Sequence, residues 1–303
     1  MKLIVQPRDG LSSFISAIRM AKKEIDLLIF RFDRAEVQKA LDAAVKRGVL
    51  VRTLIANTNK GGEKNLRKLE QKLLEVGATV ARTGDEFVRY HGKIMVVDRT
   101  ELWLMGFNLT ALDTTGSRSF GVVTRRKGEV VDALRLFEAD VTRQPFSPNG
   151  SQLVVSPENS RTMLTEFISK AKNQLFIYDP KVSDGAVVKL LKDRAKRGVD
   201  VRIIGKVGNN ARDLPHEKYP GRRLHVRAII RDRRDAFVGS MSLRRLELDN
   251  RREAGIMVRS GHVVGELLAT FEEDWASTDS GKQESKKPEK AEAKESQDAR
   301  AEA

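Results

Sequence analysis

The chain carries two copies of one plan, and that repetition limits what it can fold into. "AVKRGVLVR" (44–52) returns as "RAKRGVDVR" (194–202), an offset of 194 − 44 = 150 residues. Lys46, Arg47, Gly48, Val49, Val51 and Arg52 recur as Lys196, Arg197, Gly198, Val199, Val201 and Arg202. Each copy reads as a helix end, a glycine cap and a strand. Upstream, Leu11, Phe14, Ile15 and Ile18 have the spacing of one helix face, as do Leu164, Phe167, Ile168 and Ala171. Apolar strands follow both, "IDLLIF" and "QLFIYD". Helix, strand, helix, strand in each half predicts α/β units on a sheet. Nearer the ends of the copies, "FGVV" (120–123) answers "AGIM" (254–257) and "LFEAD" (136–140) answers "TFEED" (270–274), at an offset of 254 − 120 = 134. The first half therefore holds 150 − 134 = 16 extra residues around "KGGEKNLRKLEQKLLEVGATV", which reads as a loop and an amphipathic helix. The turn-rich "RQPFSPNGSQ" separates the copies. The expected division is 1–145 for the first half, 146–277 for the second and 278–303 for a charged tail.

Chemistry repeats along with architecture. The chain has four histidines. His91 lies in "RYHGKIMVVD", two residues before Lys93 and seven before Asp98. At the 134 offset stands His225 in "LHVRAIIRD", with Arg227 and Asp232 at the same spacings. The apolar runs that carry both motifs read as strands, whose side chains alternate with period two. That parity puts His91 and Lys93 on one face and turns Asp98 away. A glycine-containing turn follows each motif, ending at Asn108 and at Ser242, 17 residues after its histidine (108 − 91 = 242 − 225 = 17). A nucleophile beside a fixed cation suits an anion, and two such sets suit a phosphodiester. One histidine attacks phosphorus. The other protonates the leaving alcohol and then deprotonates water. Lys93, Arg227 and Asn108 are expected to bind the phosphate oxygens. No metal and no cofactor is then required.

Composition agrees with an anionic partner. The net charge is +14, and the absence of cysteine excludes disulfides and thiolate metal sites. Charge alone fits nucleic acid, an acidic membrane surface or a phosphate-bearing substrate equally well. No run approaches the ~20 apolar residues of a membrane span, and the apolar start is too short for a signal peptide. A cytoplasmic protein, in peripheral contact with acidic membrane at most, is the expectation. The tail, Lys-, Glu-, Ala- and Ser-rich without a large apolar residue, is expected to be disordered. The basic stretches "RDRRD" (231–235) and "RRLELDNRRE" (244–253) are read as a rim of the site or as solvated loops, and His216 and His262 as surface residues.

"HGKIMVVD" followed by "GFN" resembles the H-x-K-x4-D signature of the phospholipase D superfamily and its downstream G-S/G-x-N element. The duplicated arrangement is similar to that of the two-motif, single-chain members, over residues 1 to about 277. The resemblance implies two similar α/β halves packed about a pseudo-twofold axis, with the active site at their interface. It implies a two-step exchange through a phosphohistidine, with His91 as nucleophile and His225 as acid and base. Members often carry a carboxylate 28 residues after the histidine to orient it. Glu253 fills that place after His225, and Ser119 stands there after His91. Asp98 and Asp232 match the motif aspartates and are read as structural supports. Two departures weaken the second copy: Arg227 for lysine, which keeps the charge on a flat fork, and Ser242 for asparagine, a shorter donor. The resemblance makes phospholipid the first expected substrate, by hydrolysis or headgroup transfer, and the protein a monomer. A nucleic-acid phosphodiesterase and a non-catalytic phosphate-binding protein are the alternatives. Sparse aromatics, with two Trp and three Tyr, offer little for base stacking.

Overall fold

The structure is a computed structural model and describes residues 1–57 and 63–284. The first half runs β1 (Lys2–Gln6), α1 (Ser12–Met20), β2 (Glu24–Ile29), α2 (Ala35–Lys46), β3 (Leu50–Ile55), α3 (Glu63–Glu75), β4 (Thr79–Arg82), β5 (Arg89–Tyr90), β6 (Ile94–Val97), β7 (Glu101–Met105), α4 (Ala111–Thr115), β8 (Ser117–Thr124) and α5 (Lys127–Thr142). The second runs β9 (Leu153–Ser156), α6 (Ser160–Ser169), β10 (Gln174–Val182), α7 (Gly185–Lys196), β11 (Asp200–Val207), β12 (His216–Glu217), β13 (Arg223–Leu224), β14 (Arg227–Arg231), β15 (Asp235–Gly239), α8 (Arg245–Asp249), β16 (Arg251–Val258) and α9 (Gly261–Ala276). The sheet orders are β1-β8-β7-β6-β2-β3-β4 and β12-β11-β10-β14-β15-β16-β5, with β9 on β16 and β13 on β8. Set side by side, β1-β8-β7-β6-β2-β3-β4 and β9-β16-β15-β14-β10-β11-β12 are the same sheet twice. Each is mixed, parallel between β2 and β3 and between β10 and β11, antiparallel elsewhere along β6 to β8 and β14 to β16.

Period-two alternation explains why the strands read as apolar runs. In β2, Leu27 joins the core under α1, α2 and α3, while its neighbour Leu28 faces the other way. The inner faces of both sheets, with α5 and α9, make one shared core. It joins Phe120, Val122 and Phe137 to Phe176, Tyr178 and Phe271. A third core lies under α6 and α7. Strands buried on both faces need apolar side chains at every position. At the seam between the halves the backbones come close. A Cβ on Gly106 would meet Phe120 O at 2.8 Å and Gly239 O at 3.0 Å, so only glycine fits.

The 16 extra residues correspond to α3, for which the second half has only the short turn Asn209–Ala211. The loop expected before α3 lies outside the described residues. The tail departs from expectation at its start. Residues 279–284 are helical, Arg202 pairs with Glu284, and Thr278 accepts the Gly281 N–H. Trp275 stacks near Phe271 and under Arg202, and this gives the turn an apolar and charged surface to rest on. The rest of the expected tail lies outside the described residues. Among the described residues no helix is long and apolar enough to cross a membrane.

Candidate active site

The halves exchange short strands just before each histidine. β5, from the first half, pairs in parallel with β16 of the second, and His91 N donates to Arg252 O at 2.7 Å. β13, from the second half, pairs in parallel with β8 of the first, and His225 N donates to Arg118 O at 3.0 Å. Each histidine is thus fixed to the opposite sheet. This corrects the expectation that His91 and Lys93 share a strand face. β6 begins only at Ile94, and His91, Gly92 and Lys93 form the irregular crossing between the two sheets. Arg227 does begin its strand, β14.

His91 is buried, and its Nδ1 lies 2.8 Å from Glu253 Oε2. A carboxylate accepts, so Nδ1 carries the proton and Nε2 keeps a free lone pair. Ser240 Oγ donates to the same oxygen at 2.6 Å and fixes the carboxylate. Burial pushes the His91 pKa well below the ordinary value, and Lys93, Arg227 and His225 add to the effect. The ring is therefore neutral at physiological pH, the form a nucleophile needs. Lys93 Nζ donates to His91 O at 2.6 Å. Burial lowers its pKa to about 7, against the pull of Glu253. Phe30 presses edge-on to the His91 ring at 5.0 Å, and Lys93, Arg31 and Arg89 surround the same phenyl ring.

The resemblance gave Glu253 to His225; the structure gives it to His91. The reason is the strand exchange, which carries each histidine across to the other half's β8 or β16. His225 faces Asp113, with 3.3 Å between Nδ1 and Oδ2. This is an ion-pair distance without hydrogen-bond alignment, since Nδ1 has no aligned partner. Asp113 Oδ2 also accepts Asn108 N at 2.8 Å and Nδ2 at 2.6 Å, and Arg223 caps Oδ1. Burial acts to raise the Asp113 pKa, but His225 and Asn108 hold it well below the usual carboxylate range. The pKa of His225 falls to about 4, through burial first and Arg227 and Lys93 as well, with Asp113 opposing. Ser119 occupies the place equivalent to Glu253, but its short hydroxyl donates to His225 O at 2.7 Å and does not reach the ring.

The phosphate-facing set is smaller than expected. Arg227 is buried; its Nε donates to Ser242 Oγ at 3.2 Å and its NH1 has no partner. A buried guanidinium N–H without an acceptor is costly, and an anion would satisfy it. Lys93 is the second buried cation. Asn108, expected as a third donor, spends its Nδ2 on Asp113 and leaves only Oδ1 unpartnered. Ser242 N donates to Glu247 Oε2 at 2.6 Å, as Asn108 N does to Asp113. Asp98 and Asp232 lie at the far ends of β6 and β14, at φ of +50° and +51°. Each accepts a row of N–H groups, from Lys22, Lys23 and Glu24 and from Lys172, Asn173 and Gln174. Neither touches the histidines. "RDRRD" turns with Asp232, about 16 Å along β14 from Arg227, so it does not rim the site. Arg244 and Arg251, of the other basic stretch, do lie beside it, on Glu247. His216 and His262 are exposed elsewhere.

Asp113, Ser240, Glu247 and Phe30 were not singled out by the sequence. One signal was available for two of them: Asp113 and Glu247 keep the repeat offset, 247 − 113 = 134. Asp179, fully buried near Arg227, was also missed; burial lifts it to about 6 while Leu243 N–H and Lys181 N–H hold it down. Among the described residues no group of three or more His, Cys, Asp or Glu could hold a metal ion.

Known proteins place this geometry. The model of the family described as "Cardiolipin synthase, PLD-like domain" matches residues 14–141 and 164–275. No curated protein matches the sequence. Among solved structures, a polyphosphate kinase from Porphyromonas gingivalis superposes with a TM-score of 0.74 at 18% identity, covering 89% of this chain. This chain spans only 46% of that one. A phosphatidylserine synthase from Haemophilus influenzae superposes with a TM-score of 0.68 at 12% identity, over 91% of this chain and 86% of that one. At these identities the likeness is one of fold: two α/β halves of phospholipase D type.

Proposed function

This chain belongs to the cardiolipin synthase-like, PLD-like family of the phospholipase D superfamily, and from that premise we propose that it is a phosphodiesterase working through a phosphohistidine on His91. His91 Nε2 attacks phosphorus while the bond to the leaving oxygen breaks. His225 gives that oxygen its proton. Water then attacks the phosphohistidine, His225 takes up the proton, and the phosphorus–nitrogen bond breaks to return His91. An alcohol in place of water gives transfer. Lys93 and Arg227 hold the phosphate oxygens. Glu253 offsets the positive charge that His91 acquires, and Asp113 does the same for His225. The observation that carries the reading is the neutral, buried His91, held at Nδ1 by Glu253 and flanked by two buried cations. One chain holds both histidines, and a monomer is proposed to be sufficient.

Phospholipid remains the substrate that the family description favours. A specific observation favours nucleic acid as the second reading: the cleft beside Phe30 is walled by Arg31, Lys68 and Lys72. The test is purified protein offered phosphatidylcholine and phosphatidylglycerol vesicles, single-stranded DNA and bis(p-nitrophenyl) phosphate. The expected covalent intermediate is acid-labile and alkali-stable and maps to His91. Absence of turnover on every diester, with phosphate still bound, would make this a phosphate-binding protein.

A further inference from the structure

The helix that only the first half possesses builds a cleft against the active site. α3 forms one wall, and the chain leaving β2 at Phe30, Arg31 and Phe32 forms the other. The cavity is about 340 Å³. Its Phe30 wall touches the His91 ring at 5.0 Å. Its far end is Thr110, whose hydroxyl accepts the N–H of Asp113, the carboxylate beside His225. The cleft therefore lies beside the active site, with the Phe30 ring between its lumen and His91. In the second half the chain between β11 and β12 makes only a short turn, so the groove is one-sided.

We propose that this cleft binds single-stranded nucleic acid on one side of the scissile phosphate; the assignment rests on the reading of His91 as the phosphoryl-accepting residue. Charge comes first. Lys68 and Lys72 stand four residues apart on α3, hence on one helix face, and Arg31 faces them across the cleft. None of the three is ion-paired to a carboxylate among the described residues. The one acid in the wall, Asp33, accepts the Ala111 N–H at 2.9 Å and keeps its charge, so the three cations outnumber it. Two acids of α3 are engaged elsewhere: Glu70 holds Arg82, and Glu75 accepts from Gln71. Three cations against one carboxylate leave the groove net positive, which suits successive phosphates of a strand. Second, the groove has aromatic and apolar floors between the cations, with half-buried Phe32 and buried Leu69. One ring between cations can stack one base while the neighbouring phosphates meet the cations, which is a local form of what binding of a single strand needs. A lipid surface asks for the reverse, apolar side chains exposed at the mouth. The exposed large apolar side chains do not line this cleft, and Met20 and Leu50 lie at the opposite end of β2 from Phe30.

The test measures fluorescence anisotropy of a short labelled oligothymidylate on the full chain carrying His91→Ala, which stops turnover. Adding Lys68→Glu and Lys72→Glu is expected to weaken binding about tenfold or more and to lower the slope of log affinity against log salt by about 1.4, roughly 0.7 for each lysine. Phe32→Ala is expected to weaken binding about tenfold and leave the salt slope unchanged, because stacking carries no counterion release. Lys189→Glu with Lys196→Glu, the same charge change on exposed α7, is expected to move neither quantity. If the α3 pair behaves like the α7 pair, strand binding lies elsewhere and the proposal is overturned. Binding of phosphatidylglycerol vesicles that the α3 pair abolishes, with no binding of the oligonucleotide, replaces the strand with a lipid surface. Failure of the wild type to hydrolyse bis(p-nitrophenyl) phosphate would strike the reading of His91 alone and leave strand binding standing.

Discussion

Glu253 accepts the Nδ1–H of His91 at 2.8 Å across 162 positions of sequence, from the other repeat. Neither half therefore holds a complete site. In the proposed reaction the carboxylate holds the ring with Nε2 towards the substrate and offsets the charge that would form as phosphorus bonds to nitrogen. Glu253→Gln keeps the shape and removes the charge. The expected effect is a fall of about 10²- to 10⁴-fold in the rate of phosphoenzyme formation, measured by rapid quench, with substrate binding little changed. Formation at the wild-type rate would show that His91 needs no orienting carboxylate.

His225 must carry a proton to act as an acid, yet its pKa is lowered to about 4 by burial and by Arg227 and Lys93. At pH 7 the free site would hold that proton in only about 0.1% of molecules. The expected outcome is that kcat/KM on a diester with an alkyl leaving group rises as pH falls from 8 towards 5. With p-nitrophenolate, which leaves without a proton, the rise below pH 7 should vanish and only the gain from protonation of Lys93 near 7 should remain. His225→Ala should cost the alkyl substrate about 10²- to 10⁴-fold and the nitrophenyl substrate much less. Equal pH profiles for the two substrates would remove His225 from the acid role.

Much of this was legible in the sequence because periodicity and repetition report on architecture. The two offsets, 150 and 134, located both halves and the extra helix, and the paired motifs brought His91 and His225 together. Pairing across the interface was not legible. Glu253 stands 28 residues after His225 and looks like its partner, but the exchange of β5 and β13 hands each histidine to the opposite sheet. Asp113 escaped notice for a related reason. It acts on a histidine of the other repeat, while Ser119, at the expected place, is too short to reach the ring. Strand parity misplaced His91 because the residues from His91 to Lys93 leave one sheet before joining the next. Composition predicts disorder from the start of the tail, and it does not register the cradle that Arg202 and Trp275 offer to residues 279–284.

Arg227 NH1 is buried without a partner, while Nε is held by Ser242. Arg227→Lys retains a charge that can reach the phosphate but loses the fork, so a mild change in KM is expected. Arg227→Ala removes the charge and should cost about 10²-fold or more in kcat/KM, since it deletes a cation aimed at oxygens that gain charge in the transition state. Steady-state kinetics on bis(p-nitrophenyl) phosphate decide this. Similar losses for both variants would mean that the planar fork matters and not the charge.

Attack, proton transfer and charge neutralisation are all assigned to side chains: His91, His225, Lys93 and Arg227. Turnover is therefore expected to persist undiminished in EDTA. Loss of turnover with the chelator and its return with a divalent ion would overturn that assignment, because an ion would then be performing one of those tasks.

Two buried groups outside the histidine pair should make the stability of the ligand-free protein depend on pH on either side of 7. Lys93 has its pKa lowered to about 7, chiefly by burial. It binds fewer protons folded than unfolded between pH 7 and its ordinary value near 10.5, so stability rises with pH across that window and is lost as pH falls through 7. Asp140, buried beside Arg252 Nε at 3.1 Å, is raised to about 7, by burial first, with Arg252 opposing. It binds more protons folded than unfolded between its ordinary 3.8 and 7, so its contribution is present below that window and is lost as pH rises through 7. Both contributions are absent at neutrality. Below about pH 6.5 the lowered pKa values of His91 and His225 act against Asp140, so each limb is read from a variant. Urea midpoints of the wild type should rise from pH 7 to 9, and Lys93→Met should flatten that rise. The advantage of the wild type over Asp140→Asn should shrink as pH rises from 5 to 7. Inorganic phosphate should raise the wild-type midpoint near pH 7, because an anion beside Lys93 restores its charged form and binds only the folded chain. If Lys93→Met leaves the alkaline slope unchanged, Lys93 stays charged in the empty site and some other group sets that limb.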